Sequence, residues 1–86
     1  MAYSLTEEFV WKEVGDQVVV LNLDSGVYYS LNPTGSRVWK GLMDQSSLDD
    51  IVGKLCDEYS VSEATARKDA EEMIDQFLAK KMLVRK

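Results

Sequence analysis

Histidine is absent from these 86 residues, and cysteine and proline occur once each. Without histidine, neither a Ser-His nor a Cys-His nucleophile can be assembled, and the common histidine-bearing zinc sites are out of reach. The lone thiol, Cys56, cannot close an internal disulfide, which fits a reducing cytosol. Positive charge is also scarce: ten Lys and Arg stand against fifteen Asp and Glu, a net charge of −5 spread over both halves. A nucleic-acid reader needs a basic face for the phosphates, so nucleic acid is not an expected partner. No run approaches the ~20 apolar residues of a membrane span, and no basic stretch followed by an apolar run marks a signal peptide. The expected setting is cytoplasmic, with no membrane partner. Carboxylates are numerous, but no nucleophile, base and pocket can be put together from these residues. The chain reads as a non-enzyme, with no catalytic residue, no metal site and no cofactor.

What is present is the composition of a folded domain: 45% hydrophobic and 29% charged residues, enough for a modest core. Residues 1–86 read as a single domain, without linker, repeat or low-complexity stretch. Residues 8–14 and 17–23 read as strands broken by Gly15-Asp16, and Asp24-Ser25-Gly26 supplies a second turn. A third, β-branched and aromatic strand follows at 27–31, completing an antiparallel meander. Val18 and Val20 fall on one face of the middle strand, and Val19, Leu21 and Leu23 on the other. Both faces are more apolar than a half-solvated sheet requires, so the segment around Tyr3 and Leu5, or a partner, is expected to cover the excess.

Three helices follow. Asn32 can cap the first and Pro33 sits where its missing N–H costs nothing, giving a helix over 33–43 with Val38, Trp39, Leu42 and Met43 inward. Leu48, Ile51, Val52, Leu55, Cys56 and Tyr59 recur at helical spacing behind a Ser47/Asp50 capping pair. Cys56 lies on that stripe and reads as a structural thiol. Ser62 can cap a third helix to about residue 81, with Ala66, Ala70, Met73, Ile74, Phe77 and Leu78 inward. Met82, Leu83 and Val84 form an apolar tail that folds back on the core. Strands segregated from helices give an α+β class.

The third strand is an edge of the meander, and it carries no lysine, proline or charge. Edge strands are normally blunted by such residues, because unpaired N–H and C=O groups recruit other chains. A bare aromatic edge with no catalytic side chain nearby reads as a recognition surface.

The run Asp24-Ser-Gly-Val-Tyr-Tyr-Ser-Leu-Asn-Pro-Thr-Gly-Ser-Arg-Val-Trp39 resembles the strand–Leu-Asn–helix–Trp segment of PqqD-like proteins, the recognition elements of ribosomally made peptide pathways. Ser47 to Val52, and Asp69 through Phe77-Leu78 to Val84, are similar to the later parts of that family, so the resemblance spans roughly 8–84. It implies a winged-helix-like fold without DNA binding: a three-stranded meander followed by three helices. It also implies binding of a precursor's leader segment as an added strand, in a groove between the third strand and the third helix, for delivery to a separate processing enzyme such as a leader peptidase or other maturase. The Tyr-Tyr-Ser-Leu-Asn-Pro form looks most like the stand-alone proteins of lasso-peptide pathways, and the Pro-Glu-Gly turn of PqqD proper is missing. Strand addition would draw affinity from the main chain and specificity from alternate side chains. Val27, Tyr28, Tyr29, Ser30 and Leu31 would then form one wall, with Val27, Tyr29 and Leu31 inward, and Met73 and Phe77 the other, while Asp69 and Gln76 make polar contacts. A winged-helix DNA-binding regulator is the alternative, opposed by Glu63, Asp69, Glu71, Glu72 and Asp75 on the third helix.

Overall fold

Backbone pairing divides the strands into two sheets, one more than the sequence pattern predicts. The computed structural model describes residues 3–85. In chain order the elements are β1 (Tyr3–Leu5), β2 (Phe9–Val14), β3 (Gln17–Asn22), β4 (Tyr28–Ser30), α1 (Pro33–Met43), α2 (Leu48–Tyr59), α3 (Glu63–Ala79) and β5 (Leu83–Arg85). The expected meander is the sheet β2-β3-β4, with strands one or two residues shorter than read from the sequence. β1 and β5 pair antiparallel as a separate ribbon, with Ser4 opposite Val84.

That ribbon corrects one reading and narrows another. The Tyr3–Leu5 segment does not cover the outer face of the meander; it pairs with the C-terminal tail, and Tyr3 packs into the core. Val10 and Tyr28 stay exposed on that outer face, beside half-buried Val19 and Leu21. The tail does fold back, but only Met82 and Leu83 are buried, while Val84 is about half exposed.

The inner face of the meander carries Phe9, Val18 and Val20, all buried, with Trp11 and Tyr29 at Val20's flanks in the register. Against it pack Val38, Trp39 and Leu42 of α1, and Ala70, Ile74 and Phe77 of α3, in one core with the inner stripe of α2. Each Val, Leu, Ile or Phe side chain among them taken fully from water contributes about 1.5–3 kcal/mol. Trp39 lies between Trp11 and Phe77, meeting both edge-on at centroid distances of 6.4 and 5.2 Å. Its indole N–H has no hydrogen-bond partner among the described residues, so packing alone holds this ring.

The three helix starts form as the sequence predicts. The side chains of Asn32, Ser47 and Ser62 accept from the N–H groups of Gly35, Asp50 and Thr65. The helix α3 ends at Ala79 rather than near residue 81. Lys81 takes φ 62, its N–H donates to the Leu78 carbonyl, and the Met82 N–H donates to that of Phe77. This is a Schellman stop with lysine where glycine is usual. The same device ends α1, where Gln45 has φ 61 and the Ser46 N–H reaches the Gly41 carbonyl. The helices α1 and α2 approach closely at Gly41, where a Cβ would lie 2.6 Å from Ile51 Cγ1. Arg67 ties α3 to α2 through Asp49 at 2.7 Å and also bonds Glu63; these two hydrogen bonds raise its pKa, holding it charged.

Candidate functional site

Hydrogen bonding along β4 decides which of its groups are free. The Leu31 N–H donates to the Val18 carbonyl and the Asn22 N–H to the Val27 carbonyl, each at 2.9 Å. Odd-numbered residues of this strand therefore bond β3, since alternate residues turn their main-chain groups to opposite sides. The N–H and C=O of Tyr28 and Ser30 point the other way, to the open edge. The turn that delivers this strand is built by Asn22, whose side-chain oxygen accepts from the N–H groups of Asp24 and Ser25, with Gly26 at φ 75.

One hydroxyl completes the β3–β4 ladder. Buried Ser36 accepts from the Val18 N–H at 2.8 Å and donates to the Leu31 carbonyl at 3.3 Å. It stands where a direct bond between those two residues would be, and it fastens the first turn of α1 to the sheet.

Beside the open edge runs a groove of about 530 Å³ between β4 and α3. Eight of the nine residues singled out from the sequence line it: Tyr28, Tyr29, Ser30 and Leu31 on the strand side, and Asp69, Met73, Gln76 and Phe77 on the helix side. Val27 does not line it; expected inward with Tyr29 and Leu31, it is 49% exposed, because the strand has only begun to leave the Gly26 turn. Phe77 is buried, edge-on to Trp39, while Tyr29, Leu31 and Met73 are half-buried. The sequence pattern did not single out Asn32, Gly35, Glu72, Lys80 and Met82, which also line the groove. Glu72 and Lys80 were within its reach, since they continue the helical row Asp69, Gln76 at three- and four-residue steps.

The Lys80 ammonium lies 5.2 Å from the centre of the Tyr29 ring, within cation–π range. Asp69 and Glu72 have no ion-pair partner among the described residues, whereas Arg37, Lys40 and Arg67 are engaged with Glu58, Glu13 and Asp49 outside the groove. Among the described residues no group of three or more Cys, Asp or Glu is placed to hold a metal ion, and no helix is long and apolar enough to cross a membrane. The groove offers a main-chain edge, apolar hollows and a charged rim. This is an arrangement for holding an extended chain.

Comparison with known proteins bears on the same region. No curated protein sequence matches the chain significantly. Two solved structures do. TbiB1 in complex with the TbiA(beta) leader peptide is 31% identical over 93% of each chain, with a TM-score of 0.83. Lasso peptide synthetase B1 complexed with the leader peptide is 25% identical over 99% of this chain and 100% of that one, with a TM-score of 0.90. The family model described as coenzyme PQQ synthesis protein D (PqqD) matches residues 17–83, which include β3, β4, all three helices and the start of β5. The chain belongs to the PqqD family.

Proposed function

We propose that this protein binds the leader segment of a ribosomally synthesised precursor peptide by strand addition to β4, and presents it to a separate processing enzyme without doing chemistry itself. The observation that carries this is the direction of the Tyr28 and Ser30 main-chain groups: two N–H donors and two carbonyls on an uncharged edge, with a groove alongside. An added strand would pair with those groups and set alternate side chains against Tyr29, Leu31, Met73 and Phe77. The two solved relatives, both complexes with leader peptides, support the ligand class. Their match over nearly the whole chain supports a single recognition domain. The lack of histidine and of any nucleophile–base pair supports a carrier role, in which a leader peptidase or another maturase performs the reaction. The DNA-binding alternative has the charge of α3 against it, since that helix carries five carboxylates against only Arg67 and Lys68.

The test is a titration of a synthetic leader segment of a ribosomal precursor peptide into isotopically labelled protein. A peptide of ~10–20 residues should bind at micromolar affinity or tighter. The amide signals of residues 28–31 and of α3 should move. Shifts confined to α1 and α2 would rule out the site, and a mass change in precursor incubated with the purified protein alone would overturn the carrier role.

A further inference from the structure

The rim of the groove along α3 is charged asymmetrically. Asp69, Glu72, Gln76 and Lys80 succeed one another at three- and four-residue steps, which places them in one row on the helix surface, and all four line the groove. The charge along that row runs negative, negative, neutral, positive. At 1.5 Å per residue the carboxylate pair and the Lys80 ammonium are separated by about 12–16 Å along the helix axis. None of the three forms an ion pair with another described residue, while the three basic side chains that do are spent on α1–β2, α1–α2 and α2–α3 contacts. The Lys80 ammonium lies over the Tyr29 ring of β4, a contact that favours placing its charge beside the strand edge.

We infer that the groove selects an extended peptide carrying a basic side chain and an acidic side chain about four residues apart, the basic one at the Asp69/Glu72 end and the acidic one at Lys80. This rests on the reading of the groove as a strand-addition site. An extended chain rises about 3.3 Å per residue, so the 12–16 Å between the charged ends of the row corresponds to about four or five peptide residues. An even spacing of four puts both charges on the same face of the added strand, because side chains alternate. The opposite charge order would set like charges together at both ends. Main-chain pairing cannot distinguish one sequence from another, so this row would fix register and orientation along an edge only three residues long.

Selection from a phage-displayed library of random twelve-residue peptides tests this whatever the sequence of the natural precursor. Peptides enriched on the wild-type protein should carry Lys or Arg and, about four positions away, Asp or Glu. Inverting the charge of the basic position should weaken binding about three- to tenfold, the range for a partly exposed pair turned from attraction to repulsion. High salt should shrink that difference. The double variant Asp69→Lys/Glu72→Lys should enrich peptides with an acidic residue at that position, and Lys80→Glu should independently enrich a basic residue at the other. Peptides that bind and shift the signals of β4, yet show no charge register on wild type or variants, would overturn the polarity and leave the groove reading standing. Failure to enrich any peptide, or enriched peptides that bind equally well to Ser30→Pro, would overturn the groove reading and the polarity with it.

Discussion

The meander has two edges, and they are built in opposite ways. The outer edge of β2 is six residues long and includes Lys12 and Glu13, the latter paired with Lys40 at 2.8 Å. Its register leaves the main-chain groups of Trp11 and Glu13 pointing away from β3, since the Leu23 N–H bonds the Glu8 carbonyl and the pairing alternates from there. The β4 edge is half as long, carries no charge, and opens on a groove walled by a helix. Charge on an edge repels an incoming strand or makes it leave water unfavourably; its absence invites one. The same sheet thus has a closed side and an open side. The difference teaches that an edge is left open to a further strand through what is withheld from it as much as through what lines it.

The largest expected effect comes from the hydroxyl that only the β4 side uses. Replacing Ser36 by alanine leaves the buried Val18 N–H without its acceptor and the Leu31 carbonyl without its donor. An unsatisfied buried group costs about 1–3 kcal/mol, so Ser36→Ala should lower unfolding stability by that amount in denaturant titration. Threonine, which keeps the hydroxyl, should recover part of it. A stability equal to wild type would mean that the hydroxyl does not close the ladder.

Proline compares the edges directly. Ser30→Pro removes an N–H that faces the groove and leaves the β3–β4 bonds intact, so the protein should fold and leader-peptide affinity should fall about tenfold or more by calorimetry. Glu13→Pro removes the equivalent outward donor from β2 and should leave affinity within about twofold. Equal losses at both edges would show that proline acts through the whole sheet, and a loss at β2 alone would move the site there.

Much of this contrast is legible in the sequence. The absence of Lys, Pro and charge from Tyr28–Ser30 is visible at once, and the three caps announce each helix start through Asn32, Ser47 and Ser62. Eight residues chosen from the sequence lie together in the groove because the strand parity and the helical period constrain them. What escapes the sequence has physical reasons. The third helix reads two residues too long because lysine, not glycine, adopts the left-handed stop at Lys81, so no breaker marks it. The β1–β5 ribbon escapes because strands of three residues carry no periodicity to detect, and their pairing joins the two ends of the described chain. Ser36 looks like any serine in a first helical turn; only the meeting of α1 with β3 gives its hydroxyl two main-chain partners.

The smallest expected effect lies at the closed edge, and its smallness is the point. Lys40 and Glu13 form a short pair, but their side chains are 25% and 46% exposed, so water and salt screen much of the attraction. A double-mutant cycle with Lys40→Met and Glu13→Gln should give a coupling of about 0.2–1 kcal/mol in unfolding stability. That coupling should shrink in high salt, as expected of a pair at the surface. Leader-peptide affinity should be the same in all four proteins of the cycle, because neither residue lines the groove. If the edge is closed by the charges themselves, the double variant should also begin to self-associate through β2, visible as a rise in sedimentation coefficient with concentration. A monomeric double variant with unchanged affinity would mean that the β2 edge is kept closed by its twist and by Lys12 rather than by this pair. A drop in affinity would be more serious. It would show that the two edges are coupled through β3, and that the open edge owes part of its binding to the closed one.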